Sequence, residues 1–145
     1  MTVEVGWLLP GRVLYSPGTT DRDAMGERNA RTLALIEAEG QPPLVHSIID
    51  HSSRYTPDEI AQQPKQFMYY TTLGSDEVRQ RLLNHPMLGW VISVATPNAG
   101  LKMAGAVASQ QHNYRWHSVP TLEDAFAFLQ ERDVSLPDLS AYWQP

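Results

Sequence analysis

Apolar and polar positions along the chain change their period several times, and each change marks an element. Val3, Val5, Trp7 and Leu9 alternate with Glu4, Gly6 and Leu8, a period of two that predicts a β-strand. Leu9-Pro10-Gly11-Arg12 then reads as a turn, because proline presets one central φ and glycine accepts φ > 0 at the next. Arg12 to Ser16 is a second strand, so this stretch is a hairpin. From a cap at Thr20 or Asp21 the period lengthens. Met25, Asn29, Thr32, Leu33 and Ile36 recur at helical spacing until Gly40 and Pro42-Pro43 end the pattern.

Leu44 to Ile49 is nearly continuous in apolar residues, with only His46 and Ser47 inside, as expected of a strand covered on both faces between parallel neighbours. Thr56-Pro57-Asp58-Glu59 is a capping box opening a short helix that Pro64 stops. Phe67–Thr72 fits no element cleanly: its composition is strand-like, but it lies between helical patterns. Ser75–Leu83 predicts a helix with Val78, Leu82 and Leu83 on one face, and Trp90–Ala95 another buried strand. Asn98 caps a helix to about Gln111, and Tyr114–Val119 is a strand. Thr121 caps a last helix in which Leu122, Ala125, Phe126 and Leu129 follow the i, i+3, i+4, i+7 pattern. The order β-β-α-β-α-β-α-β-α predicts an α/β fold with a mixed, mostly parallel five-stranded sheet and right-handed crossovers. Residues 1–133 form one domain, and 134–145 a C-terminal tail expected to dock on that domain or on a partner subunit.

Composition narrows the function. A chain of 145 residues, 42% hydrophobic and 19% charged, suits one soluble globular domain. The net charge of −5, with 11 basic residues scattered, argues against nucleic acid, which needs a dense Lys/Arg face. No apolar run approaches the roughly 18–20 residues that span a bilayer, and Met1–Val5 carries no signal-peptide pattern. Zero cysteine removes disulfide and thiolate chemistry. The compartment these features predict is the cytoplasm.

The stretches "LVHSIIDHSS", "HPMLGWVISVATPNAGLKMAGAVASQ" and "TLEDAFAFL", with the element order, resemble the STAS-like proteins related to anti-sigma-factor antagonists. Within them the chain is most similar to the small stand-alone bacterial STAS or CRAL-TRIO-like subgroup. The resemblance covers nearly the whole chain in element order, but its motifs are structural. His85-Pro86 and Leu88-Gly89-Trp90 mark a helix-to-strand corner, and Ser109-Gln110 lies late in a helix. It implies a non-enzymatic regulatory domain acting through protein–protein interaction; the alternative it implies is a carrier or sensor of a small apolar, lipid-like ligand. The antagonist branch carries a phosphorylatable serine in an Asp-Ser-x-Gly motif after the third strand. Asp50 and Ser52 resemble that Asp and Ser, but the chain continues Arg54-Tyr55-Thr56-Pro57-Asp58, and Thr56 is the hydroxyl at the helix start. A regulatory phosphate is expected on neither Ser52 nor Ser53, which precede the helix-start amides.

The candidate ligand, partner or switch positions are therefore Asp50, Ser52, Thr56, Asn98 and Gly100. Asp50, Ser52 and Thr56 either close a turn and cap a helix or line a ligand site where a helix starts beside the C-terminal edge of a parallel sheet. Asn98 and Gly100 in "TPNAGLKMAG" stand at the position of a ligand loop without the phosphate-cradling spacing. The small residues of that helix suit close packing on the sheet, a pocket wall or a self-association face. Asp50, His51 and Ser52 do not read as a hydrolytic relay, since neighbours on a strand point to opposite faces and no Gly-x-Ser-x-Gly elbow is present. His46 and His51, like His112 and His117, are an odd five residues apart, so neither pair shares a strand face. No metal or cofactor is expected, and the histidines read as one partly buried and several exposed. The aromatic run Phe67–Tyr70 and the tail residues Leu136, Leu139, Tyr142 and Trp143 exceed what one small core needs. They suit core or tail docking, or a surface for a protein partner or lipid-like ligand. With the edge presented by the first strand, they predict a homodimer.

Overall fold

A computed structural model describes residues 4–18, 22–52, 77–95 and 114–143, together with positions 103, 106, 107, 109 and 110. Strands β1 (Gly6–Leu9) and β2 (Val13–Pro17) form the hairpin, with the Arg12 amide bonded to the Leu9 carbonyl across the turn and Gly11 at φ 77°. Strands β3 (Val45–Asp50), β4 (Leu88–Val94) and β5 (Arg115–Val119) complete a five-stranded sheet in the order β1-β2-β3-β4-β5. The β1–β2 pair is antiparallel and every later pair is parallel. The fold is α/β with a mixed, mostly parallel sheet.

Helices α1 (Arg22–Glu39) and α2 (Glu77–Leu83) pack together on one face of the sheet, where Ala24, Leu33, Ile36, Leu82 and Leu83 meet Leu14, Val45 and Leu88. Helix α3 (Leu122–Arg132) and the 3₁₀ turn Leu139–Tyr142 cover the other face, over Val13, Ile48, Ile92 and Val119. β3 lies in the middle with apolar layers on both sides. That is the physical reason its sequence is apolar without alternation. The helical stripe of α1 is buried along its length: Met25, Asn29, Thr32, Leu33 and Ile36 are all inside. Positions 103, 106, 107, 109 and 110 are helical, within the span predicted from Asn98. The predicted helix from Thr56 and the stretch Phe67–Thr72 lie outside the described residues.

β4 begins at Leu88, two residues earlier than the apolar run alone suggests. The cause is a bulge: Val45 and Ser47 of β3 pair with Leu88 and Val91 of β4, so β4 carries one extra residue there. In the tail, Leu136 and Leu139 are buried in the same core cluster as α3, so these side chains dock on their own domain. No described helix is long and apolar enough to cross a membrane.

Candidate functional site

Side chains of the parallel strands alternate between the two faces, and this sorts the candidate residues into three groups. The first surrounds Asp50, on the α3 face at the end of β3. Tyr15 on the neighbouring strand donates its hydroxyl to Asp50 Oδ2 at 2.7 Å. The other oxygen, Oδ1, accepts from the Ser52 amide at 2.9 Å and the Ser52 hydroxyl at 2.6 Å. Asp50 therefore closes a turn after the strand with one oxygen and holds Tyr15 with the other. Tyr15 in turn packs against Trp143, with ring centroids 4.8 Å apart. A groove of about 480 Å³ starts at this pair and runs along β1, lined by Gly6, Trp7 and Leu8 and walled by Pro17, Tyr142 and Trp143. Trp7 closes the opposite side of β1 by donating its Nε1–H to Glu39 Oε2 at 2.6 Å.

The second group lies at the other end of the sheet. His46 is 1% exposed, and its Nδ1 accepts the Trp90 amide at 2.9 Å. The bulge in β4 turns that amide out of the ladder and toward the imidazole. Since Nδ1 is an acceptor, the ring proton sits on Nε2 and is donated to Asp133 Oδ2 at 2.9 Å. Arg12 joins the same carboxylate oxygen at 2.8 Å and also bonds the Ser135 hydroxyl and the Leu44 carbonyl. A Cβ built on Gly89 would overlap the His46 ring, so glycine is what lets β4 pass over it. Burial pushes the His46 pKa below the ordinary 6.5 in spite of Asp133 beside it. Burial alone would raise Asp133, but bonds from Ser135 and His46 hold it below the usual carboxylate range.

The third group lies beyond the C-terminal ends of the parallel strands, with His51 toward α1 and Ala95 packed against the core on the α3 face. The ladder runs one residue past each strand: Gly18 donates to the Asp50 carbonyl, His51 to Val94 and Ala95 to Val119. A Cβ on Gly18 would overlap the His51 ring. His51 is buried, and burial, followed by the Arg28 guanidinium, lowers its pKa to about 4. Arg28 itself is buried on α1, and its Nη1 is the one buried side-chain nitrogen or oxygen among the described residues with no hydrogen-bond partner. An unpaired buried donor of this kind costs about 1–3 kcal/mol, and more when charged.

Of the residues nominated from sequence, Asp50 and Ser52 come together on the α3 face, while Thr56, Asn98 and Gly100 lie outside the described residues. His46 and His51 face opposite ways, as their odd spacing requires. The expectation of a single partly buried histidine is corrected: both His46 and His51 are buried, because β3 is covered on both faces. No group of three or more His, Cys, Asp or Glu among the described residues could hold a metal ion. Tyr15, Asp133, Gly18 and Arg28 were not legible as site residues from local pattern. Arg28 alone left a trace, as a cation on the buried stripe three positions after Met25. In comparison with known proteins the chain matches no family model, no curated protein and no solved structure.

Proposed function

We propose that this chain is a non-enzymatic interaction domain of STAS-like type, and that its groove along β1 receives an extended segment of a regulatory protein partner. The observation carrying this reading is that Asp50, the most reactive-looking group of the sequence, spends both oxygens inside the protein. The polar end of β3 is thus structural, and what it positions is Tyr15, at the head of the groove. Among the described residues β1 is an edge strand paired with β2 alone, a position that suits the addition of a further strand. Glu4 on the groove and the net charge of −5 favour a neutral or basic segment. The sequential, mostly parallel sheet behind an initial hairpin fits the element order on which the STAS-like reading rests, and zero cysteine suits a reducing, cytoplasmic setting.

Photo-crosslinkers placed at Gly6 and Tyr142 test the interaction, with one at Glu37 on the far side of the molecule for comparison. A protein captured from native lysate at positions 6 and 142 but not 37, and lost in a variant with proline at Trp7, is the expected result. Equal capture at position 37 overturns it. Crosslinking of the chain to itself replaces the partner by a second copy and makes the domain a homodimer.

A second reading rests on the groove's size. About 480 Å³ falls within the roughly 300–1,000 Å³ typical of small-molecule sites, and Leu8, Pro17 and Trp143 make it apolar enough for a lipid-like ligand. A co-purified apolar molecule in native mass spectrometry, displaced by Trp143→Glu, would establish that reading in place of the first. Phosphorylation of Ser52 is no part of either. A phosphate there would set a second charge against Asp50 Oδ1, which the hydroxyl now contacts. Intact-mass analysis of native protein is expected to show no phosphoserine at 52.

A further inference from the structure

The Arg28 group lies beyond the C-terminal ends of the parallel strands and shares no residue with the lining of the groove. Two observations converge on it. Arg28 is 5% exposed and offers a buried, unpaired Nη1 donor. Gly18, His51 and Ala95 follow the C-terminal ends of three adjacent parallel strands, so His51 stands at an end of the sheet, where the chain leaves the ladder.

We propose that this end of the sheet, toward α1, binds the carboxylate of a small monoanionic ligand, with Arg28 as its principal donor and His51 beside it. The charge count sets the class of ligand. Asp50, adjacent to His51 in sequence, is turned to the other face and engaged by Tyr15 and Ser52. Asp23 and Glu27 on the first turns of α1 are exposed. His51 stays neutral until the pH falls to about 4. One guanidinium is therefore the formal charge that Arg28 and His51 supply between them. A monoanion balances it, whereas a phosphate dianion would leave net charge in a buried setting. The planar guanidinium fork also matches the two oxygens of a carboxylate. Gly18 matters indirectly, since any side chain there would push His51 toward Arg28 or out of the site.

Titration of the full-length protein with sodium acetate and with sodium benzoate, followed by ¹H–¹⁵N NMR, tests the site. Saturable shifts are expected at the Gly18, His51 and Ala95 amides and at the Arg28 side chain, with none in sodium chloride of equal ionic strength. Arg28→Lys keeps the charge but loses the fork, and is expected to weaken the apparent affinity about tenfold or more. Arg28→Met is expected to abolish the response. Because removing a buried cation also perturbs folding, the wild-type His51 titration supplies an independent readout. A bound carboxylate offsets the Arg28 charge, so the His51 midpoint should rise from about 4 on adding benzoate. No saturable response to either carboxylate, a response to inorganic phosphate alone, unchanged affinity in Arg28→Lys, a static His51 midpoint, or shifts confined to the β1 groove would each overturn the proposal.

Discussion

His46 accepts a backbone N–H on one ring nitrogen and gives its proton to Asp133 from the other, so the charged imidazolium has no place in the folded protein. Protonating Nδ1 would set two donors against each other at the Trp90 amide. His51, buried beside Arg28, is likewise held neutral. Both pKa values lie below the 6.5 of an unfolded histidine, so between those limits the unfolded chain binds more protons than the native one. Stability is then fully present above about pH 6.5 and falls as the pH drops toward 4, where His51 alone accounts for a loss on the order of 3 kcal/mol. Asp133, depressed in the native state, adds a loss in the same direction at still lower pH. Urea midpoints measured from pH 7 to 4 check this, and a flat profile would refute it. Gly89→Ala strikes the same histidine by sterics. The new methyl meets the ring, and losing the Trp90 and Asp133 bonds should cost about 1–3 kcal/mol in chemical denaturation.

Each element follows from a local rule, with its boundary set by a neighbour. Thr121 caps α3 by accepting the Asp124 amide at 3.2 Å, and its own hydroxyl donates to the Asp124 carboxylate at 2.8 Å. Thr121→Ala should cost about 1 kcal/mol of stability by thermal or urea unfolding, while Thr121→Ser should cost far less. At the far end, Asp133 takes over from the helix. Its amide bonds Leu129 O while its carboxylate reaches His46 and Arg12, so the last turn of α3 is bolted to β2 and β3. The β4 bulge belongs to the same arrangement, since without its extra residue the Trp90 amide would stay in the ladder. β1 is the exception: it is short, lies at the sheet edge, and its pairing with β2 shifts register between Trp7 and Leu9.

For the whole molecule, the tail is structural. Leu136 and Leu139 are 8% and 0% exposed within the core that α3 covers, and burying each is worth roughly 1.5–3 kcal/mol. A protein ending at Asp133 should therefore lose about 3–6 kcal/mol, a large share of the roughly 5–15 kcal/mol that holds a domain together. Urea unfolding of the truncated and full-length forms measures this directly. An unchanged midpoint would show that the two leucines contribute nothing. Tyr142, 45% exposed, and Trp143 remain at the surface as one wall of the groove, so the tail both seals the core and shapes the outside.

Element type and order were legible in the sequence because they depend on periodicity and caps. A continuous apolar run in β3 signals two covered faces, the α1 stripe signals one, and Thr121 with Asp124 marks a helix start wherever the rest of the chain lies. Asp50 with Ser52 was legible for the same reason, as an exchange between residues two apart. The partners joined across the fold were not. Tyr15 lies 35 positions from Asp50, and His46 lies 87 from Asp133. No local pattern encodes which strands become neighbours, and without that neither the buried state of both histidines nor the close passage of Gly18 and Gly89 over their rings can be read. Arg28 shows the division most plainly. Its place on the buried face of α1 is written in the helical period, but that His51 lies near it, and that its Nη1 has no hydrogen-bond partner, is decided by the tertiary structure.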